Sequence, residues 1–143
     1  MTREAPAGLT SRSLGVTAFE TCAGPGHPLF KYPNTRPIPI EEILKYPFVS
    51  PSHAFLGQVG IRQSNDGWRD DQFPRCVQYV TSSLELLGDL LLSGRALAYL
   101  PDYWVKRLGV RRLLVTGCPY SCKQKIRLLA RDPKRLGWLH ALF

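Results

Sequence analysis

TSSLELLGDLLLSGRALAYLPD, Thr81 to Asp102, reads as cap, helix, stop and strand. Leu84, Leu87 and Leu91 recur at helical spacing, with Leu86 and Leu90 widening the stripe, while Glu85, Asp89 and Ser93 fall opposite. The hydroxyl of Ser82 or Ser83 can cap the first turn, and Gly94 can supply the left-handed residue that stops the helix. Ala96 to Leu100 is a short apolar run ending at Pro101, which suits a buried strand. Upstream, Cys76 to Val80 alternates apolar and polar and reads as another strand. Strand, helix, strand in this order normally joins parallel strands of one sheet. Strands at 19–22, 47–49, 76–80 and 96–100 are therefore expected together in one sheet.

The chain has 143 residues, room for one domain or two small lobes. Its apolar and charged fractions are those of a soluble globular protein, and no apolar run approaches the ~18 residues of a membrane span. Residues 1 to 13 carry no apolar signal core. These features place the chain in the cytoplasm, with no membrane partner. The net charge of +8 permits anionic partners. The basic residues gather at Lys106 to Arg112 and Lys123 to Arg135, where a solvated face is the plainer reading. There is no zinc-finger spacing, aromatic RNA-binding signature or complete helix-turn-helix. The four cysteines, Cys22, Cys76, Cys118 and Cys122, are too scattered for a disulfide framework. Cys76 reads as core. Cys118 and Cys122 read as loop thiols, without the partners of a zinc site.

In chain order, Leu14 to Cys22 is a β-rich strand, Gly24 to Leu29 a turn, and Ile40 to Leu44 a short helix with Glu41 and Glu42 in its first turn. Tyr46 to Val49 is a strand entered through Pro47. A helix is predicted over 54–63, a turn at Ser64 to Gly67, and a helix over 103–108 closed by Gly109. Arg112 to Val115 and Lys125 to Ala130 read as strands, the second buried on both faces. Asp132-Pro133 opens a last helix. The alternation makes an α/β fold with a mostly parallel sheet.

Two strand-to-helix junctions share a chemistry: Ser50-Pro51-Ser52-His53 after Phe48-Val49, and Thr81-Ser82-Ser83 after Val80. Each sets hydroxyls and backbone N–H groups at a helix N-terminus beyond the carboxyl end of a strand, where open α/β sheets bind anions. Serines there also serve as ordinary caps.

Leu14, the strand after it and Gly26-His27-Pro28-Leu29 resemble the "L … HPL" signature of the effector-binding domain of LysR-type transcriptional regulators. The match continues through Ile38 to Leu44, Pro47-Phe48-Val49, Ser83-Leu84-Glu85, Leu90-Leu91, Ser93-Gly94 and Ala98-Tyr99-Leu100-Pro101, over roughly residues 9 to 143. Ala96 departs from the family's usual second glycine. The resemblance implies a type 2 periplasmic-binding-protein-like α/β fold with one complete lobe, residues 17–105, and an incomplete first lobe, residues 1–16 and 106–143. It implies a regulator that binds a small, anionic effector in the cleft between lobes. It also implies DNA contact only through a winged helix-turn-helix absent from this chain, and homo-oligomers formed by the regulatory domain. No cofactor is implied. From this chain Ser50, Ser52, His53 and Phe55 are expected to line one wall, with Thr81, Ser82 and Ser83 beside them. This chain alone is expected to recognise no specific operator. A solute-binding protein of the same fold, serving transport, is the alternative. An enzyme is not expected, since His27, His53 and His140 sit in no nucleophile or metal motif.

Overall fold

The computed structural model describes residues 6–55, 60 and 62–143. By their packing the described residues divide into two compact units, one within Met1–Thr17 and Gln124–Phe143, the other within Ala18–Lys123.

The second unit is organised around the expected helix. Strand β1 (Thr10–Ala23) gives its last residues to this unit; β2 (Pro37–Pro39), α1 (Ile40–Ile43), β3 (Pro47–Pro51) and β4 (Cys76–Thr81) follow. Helix α2 (Leu84–Leu92), β5 (Ala98–Pro101), α3 (Asp102–Leu108), β6 (Arg111–Arg112) and β7 (Leu114–Thr116) complete it. At the start of α2 the Ser83 Oγ accepts from Leu86 N at 3.1 Å, so Ser83 is the cap. At its end Gly94 N donates to Leu91 O and Arg95 N to Leu90 O, with Gly94 at φ +76°. Those two bonds satisfy carbonyls that the helix leaves open, and they require a left-handed residue. Ser83→Ala is expected to cost about 1 kcal/mol, read as a shifted chemical-denaturation midpoint; an unchanged midpoint would show that the cap carries no stability.

Leu87 and Leu91 are fully buried, packed with Val49, Ala98 and Leu100. The buried stripe is narrower than expected, because Leu84 and Leu86 are exposed. A second cluster joins Phe19, Phe48, Trp68, Leu97 and Tyr99.

The sheet departs from the expected arrangement in two ways. First, β1 runs antiparallel to both β5 and β6, so the strands are mixed rather than mostly parallel; β2–β7 and β3–β4 are the parallel pairs. Second, the four expected strands form two ladders, β5-β1-β6 and β3-β4. Among the described residues these ladders join at a parallel bridge between Phe48 and Leu97, where Val49 N donates to Leu97 O and Leu97 N to Pro47 O, each at 2.9 Å. Hydropathy marks a strand as buried but carries no sign for its direction.

Other readings are corrected locally. Cys76 is exposed, since it opens β4 on the outward face of an alternating strand. The strand expected over 112–115 is two, split at the buried Leu113, whose N–H donates to Thr21 O. The helix expected over 54–63 falls largely on residues 56–59 and 61, outside the described residues; Phe55 and Arg62 lie in turns. Helix α3 ends at Gly109 with φ +67°, as its sequence predicts.

In the first unit, β8 (Lys123–Ala130) pairs with β1. It alternates exposed and half-buried residues and is not buried on both faces. The helix predicted after Asp132 is instead two 3₁₀ segments, Pro133–Arg135 and Gly137–Leu142. Gly137, the first residue of the second segment, has φ +59° and breaks the α-helical path.

Candidate functional site

The two hydroxyl-rich junctions lie side by side. Strands β3 and β4 are parallel neighbours, with Ser50 opposite Val80 and Pro51 opposite Thr81. Ser52 N extends the ladder by donating to Thr81 O at 2.9 Å. Ser50, Ser52, His53, Phe55, Thr81, Ser82 and Ser83 therefore gather at the carboxyl ends of two adjacent strands, the usual ligand position in open α/β sheets.

Their side chains divide by task. Ser50 is buried in β3. The Thr81 Oγ1 accepts from Ser83 N at 3.0 Å, and Ser83 caps α2, so those two hydroxyls already serve the backbone. Ser52 Oγ and His53 Nδ1 lie 2.9 Å apart. Ser82 and His53 are exposed. Phe55 is half-buried, its ring centroid 6.2 Å from that of Phe19 and 5.8 Å from that of Trp104. The second junction leads into α2; the helix expected after the first falls largely outside the described residues.

Asn65 holds the first junction in place and was not singled out by the sequence. Its Nδ2 donates to Ser52 O at 2.9 Å and to Pro51 O at 3.3 Å. The available signal was the turn Ser64 to Gly67, whose asparagine crosses to another loop. Next to it stands a buried ion cluster. Arg75 Nη1 and Nη2 donate to Asp66 at 2.7 and 3.2 Å, and Arg75 Nε and Nη2 donate to Asp70 at 3.0 and 2.9 Å. The guanidinium is 5.1 Å from the ring centroids of both Phe48 and Trp68.

A pocket of about 270 Å³ opens beside these rings, lined by Phe19, Thr21, Trp68, Tyr99, Val115 and Tyr120 among others. Tyr99 OH accepts from Cys122 N at 3.0 Å, and Tyr120 OH donates to Gly67 O at 2.7 Å. Burial raises both phenols above the ordinary tyrosine range, so they stay protonated as hydrogen-bonding groups. His27 stabilises the turn in which its sequence places it: Nδ1 accepts from Leu29 N at 3.1 Å, and burial lowers its pKa. Among the described residues, no group of His, Cys, Asp or Glu could hold a metal ion, and no helix is long and apolar enough to cross a membrane.

Residues 1–136 match the model of a protein family described as the LysR substrate binding domain. No curated protein sequence matches the chain. Among solved structures, the regulatory domain of CcmR from Synechocystis PCC6803, in complex with 2-PG, is 16% identical with a TM-score of 0.60; the match covers 99% of this chain and 71% of that one. The regulatory domain of AphB from Vibrio vulnificus is 15% identical with a TM-score of 0.56, covering 97% and 71%. The C-terminal domain of a probable LysR family transcriptional regulator from Rhodococcus sp. RHA1 is 17% identical with a TM-score of 0.58, covering 89% and 61%. At these identities the likeness speaks for the fold.

Proposed function

Because the chain belongs to the family of LysR substrate-binding domains, we propose that it senses a small anionic effector at the paired junctions after β3 and β4, and works by binding without turnover. The family is that of a regulator's sensing domain, which favours this reading over solute transport. The observation that carries the site is the β3–β4 ladder, which sets Ser50-Pro51 against Val80-Thr81. Ser52, His53 and Ser82 keep polar groups toward solvent. The N-terminal end of α2 supplies the positive end of its dipole. Phe55 packs against an apolar part of the ligand. In this reading residues 17–105 are the second lobe of a two-lobed domain, and residues 1–16 and 106–143 belong to the first. DNA is reached through a reading head elsewhere in the complete cytoplasmic regulator, which assembles from several copies.

The test is calorimetry on Ser52→Ala and Phe55→Ala variants of the complete regulator. One probe is 2-PG, the molecule held by the CcmR domain; the others come from a panel of small carboxylates and phosphate esters. Each substitution is expected to weaken binding of the responding probe about tenfold, the loss of one charge-assisted hydrogen bond or of one apolar contact. Parent-like binding by both folded variants removes these residues from the site. A chemically altered probe recovered after incubation would replace sensing with catalysis.

A further inference from the structure

The second unit has a larger concavity that the effector reading does not use. It is a groove of about 920 Å³, bordered by the 3₁₀ turn Pro28–Lys31, the end of α3, and β6. Its size is that of small-molecule sites. Its charged lining residues are mostly basic: Lys31, Lys106, Arg111 and Arg112, against Glu20 and Asp102.

These charges are not equivalent. Arg112 is paired with Glu20 at 2.9 Å. The Asp102 carboxylate accepts from Tyr103 N at 2.8 Å. Arg111 is fixed differently. Its Nη1 donates to the carbonyls of Phe30 and Tyr32, and its guanidinium lies 4.4 Å from the Phe30 ring centroid. Carbonyls and a ring orient this cation without neutralising it, the state in which arginine recognises planar oxyanions. Lys31 and Lys106 are exposed at the rim. Phe30, Pro33 and Val110 add apolar surface. Along β1 successive side chains point to opposite faces. Phe19 turns toward Phe55, so Glu20, which meets Arg112, turns away from the proposed effector residues.

The geometry points to this groove as a second binding site, for an organic dianion on a small apolar or aromatic body, with Arg111 as the oriented anchor and Lys106 as the mobile second charge. It stands apart from the Ser50 to Ser83 site and does not depend on it.

The 143-residue chain is titrated with phenyl phosphate, phthalate and inorganic phosphate, followed by backbone-amide NMR shifts. Phenyl phosphate and phthalate are expected to move the amides of Lys31, Gly109 and Arg112, and inorganic phosphate, lacking the apolar body, to bind more weakly. Tighter binding of phenyl phosphate than of phthalate assigns a phosphate ester; the reverse order assigns a dicarboxylate. Lys106 lies on an exposed helix face, so Lys106→Gln is expected to leave the fold intact. It and Arg111→Lys, which keeps charge but loses the fork, are each expected to weaken binding about tenfold. Ser52→Ala is expected to bind here as the parent does, whatever its effect on the effector. The inference is overturned if no probe moves these amides, if both groove variants bind like the parent, or if the shifts fall on residues 50–55 and 81–83 instead.

Discussion

Arg75→Met is expected to remove about 3–5 kcal/mol of stability, the cost of stranding a buried charge. The side chains of Arg75 and Asp66 are both 0% exposed. Methionine has a similar volume, so packing beside Phe48 and Trp68 is largely kept while Asp66 loses its counter-charge. Asp66 also accepts from Trp68 N at 3.2 Å, and Asp70 from Arg75 N at 3.2 Å, so the cluster ties the loop after Ser64 to the start of β4. Chemical denaturation of Arg75→Met and of the double variant Asp66→Asn/Arg75→Met checks the mechanism. The double variant is expected to be the more stable of the two, because it no longer buries an unpaired carboxylate. A loss below about 1 kcal/mol for Arg75→Met would falsify it, placing the cluster with weak surface pairs. Acid is expected to act through Asp70. Burial pushes its carboxyl up, but the Arg75 and Ser64 hydrogen bonds and the Arg75 charge outweigh burial and hold it below the ordinary value. Its stabilising effect is therefore complete above the ordinary carboxylate pKa of about 4 and is lost as pH falls through the lowered folded value. Asp70→Asn is expected to flatten that part of the acid-unfolding profile.

What the sequence makes legible here is local. Ser83, Gly94 and Gly109 announce helix ends because a cap hydroxyl or a left-handed residue is needed at one position only, and each is found doing that work. The strands are equally readable, since Cys76 to Thr81 alternates along its own length. What joins elements is not local. Nothing in Thr17 to Cys22 tells that β1 runs antiparallel to β5, because an apolar strand looks the same in either direction. The width of the buried α2 stripe is not legible either, for a different reason. Leucine has high helix propensity as well as hydrophobicity, so Leu84 and Leu86 fit an exposed helix face too.

The candidate site divides along the same line. The two serine-rich junctions are visible as hydroxyls beyond strands, Ser83 caps α2, and their adjacency follows once β3 and β4 are parallel neighbours. Asn65 and Arg75 were out of reach, because each acts across loops on partners that only the fold brings near. The oriented Arg111 was likewise hidden within a basic run whose plainest reading is a solvated face.

Gly94→Ala is expected to cost more than about 4 kcal/mol, the range reserved for a named structural conflict. Two effects add. At φ +76° an alanine suffers the left-handed penalty of roughly 1–2 kcal/mol. A Cβ at Gly94 would also meet the backbone of Gly26 and His27, closer than any real contact, and neither neighbour is a side chain that can swing aside. The reverse side of the same junction is as tight, since a Cβ at Gly26 would meet the Ser93 carbonyl. The stop of α2 and the turn before Leu29 are thus pressed together backbone to backbone, and glycine is required on both. Gly109 separates the two contributions. It has φ +67°, yet a Cβ there meets nothing within 4 Å. Gly109→Ala should therefore show the conformational penalty alone, about 1–2 kcal/mol. Denaturation midpoints of the two variants, measured side by side, decide the matter. Equal losses would show that the α2 stop and the Gly26 turn can move apart at little cost. A Gly94→Ala chain that fails to fold while Gly109→Ala folds would establish the close approach as what fixes α2 against the Gly26 to Leu29 turn.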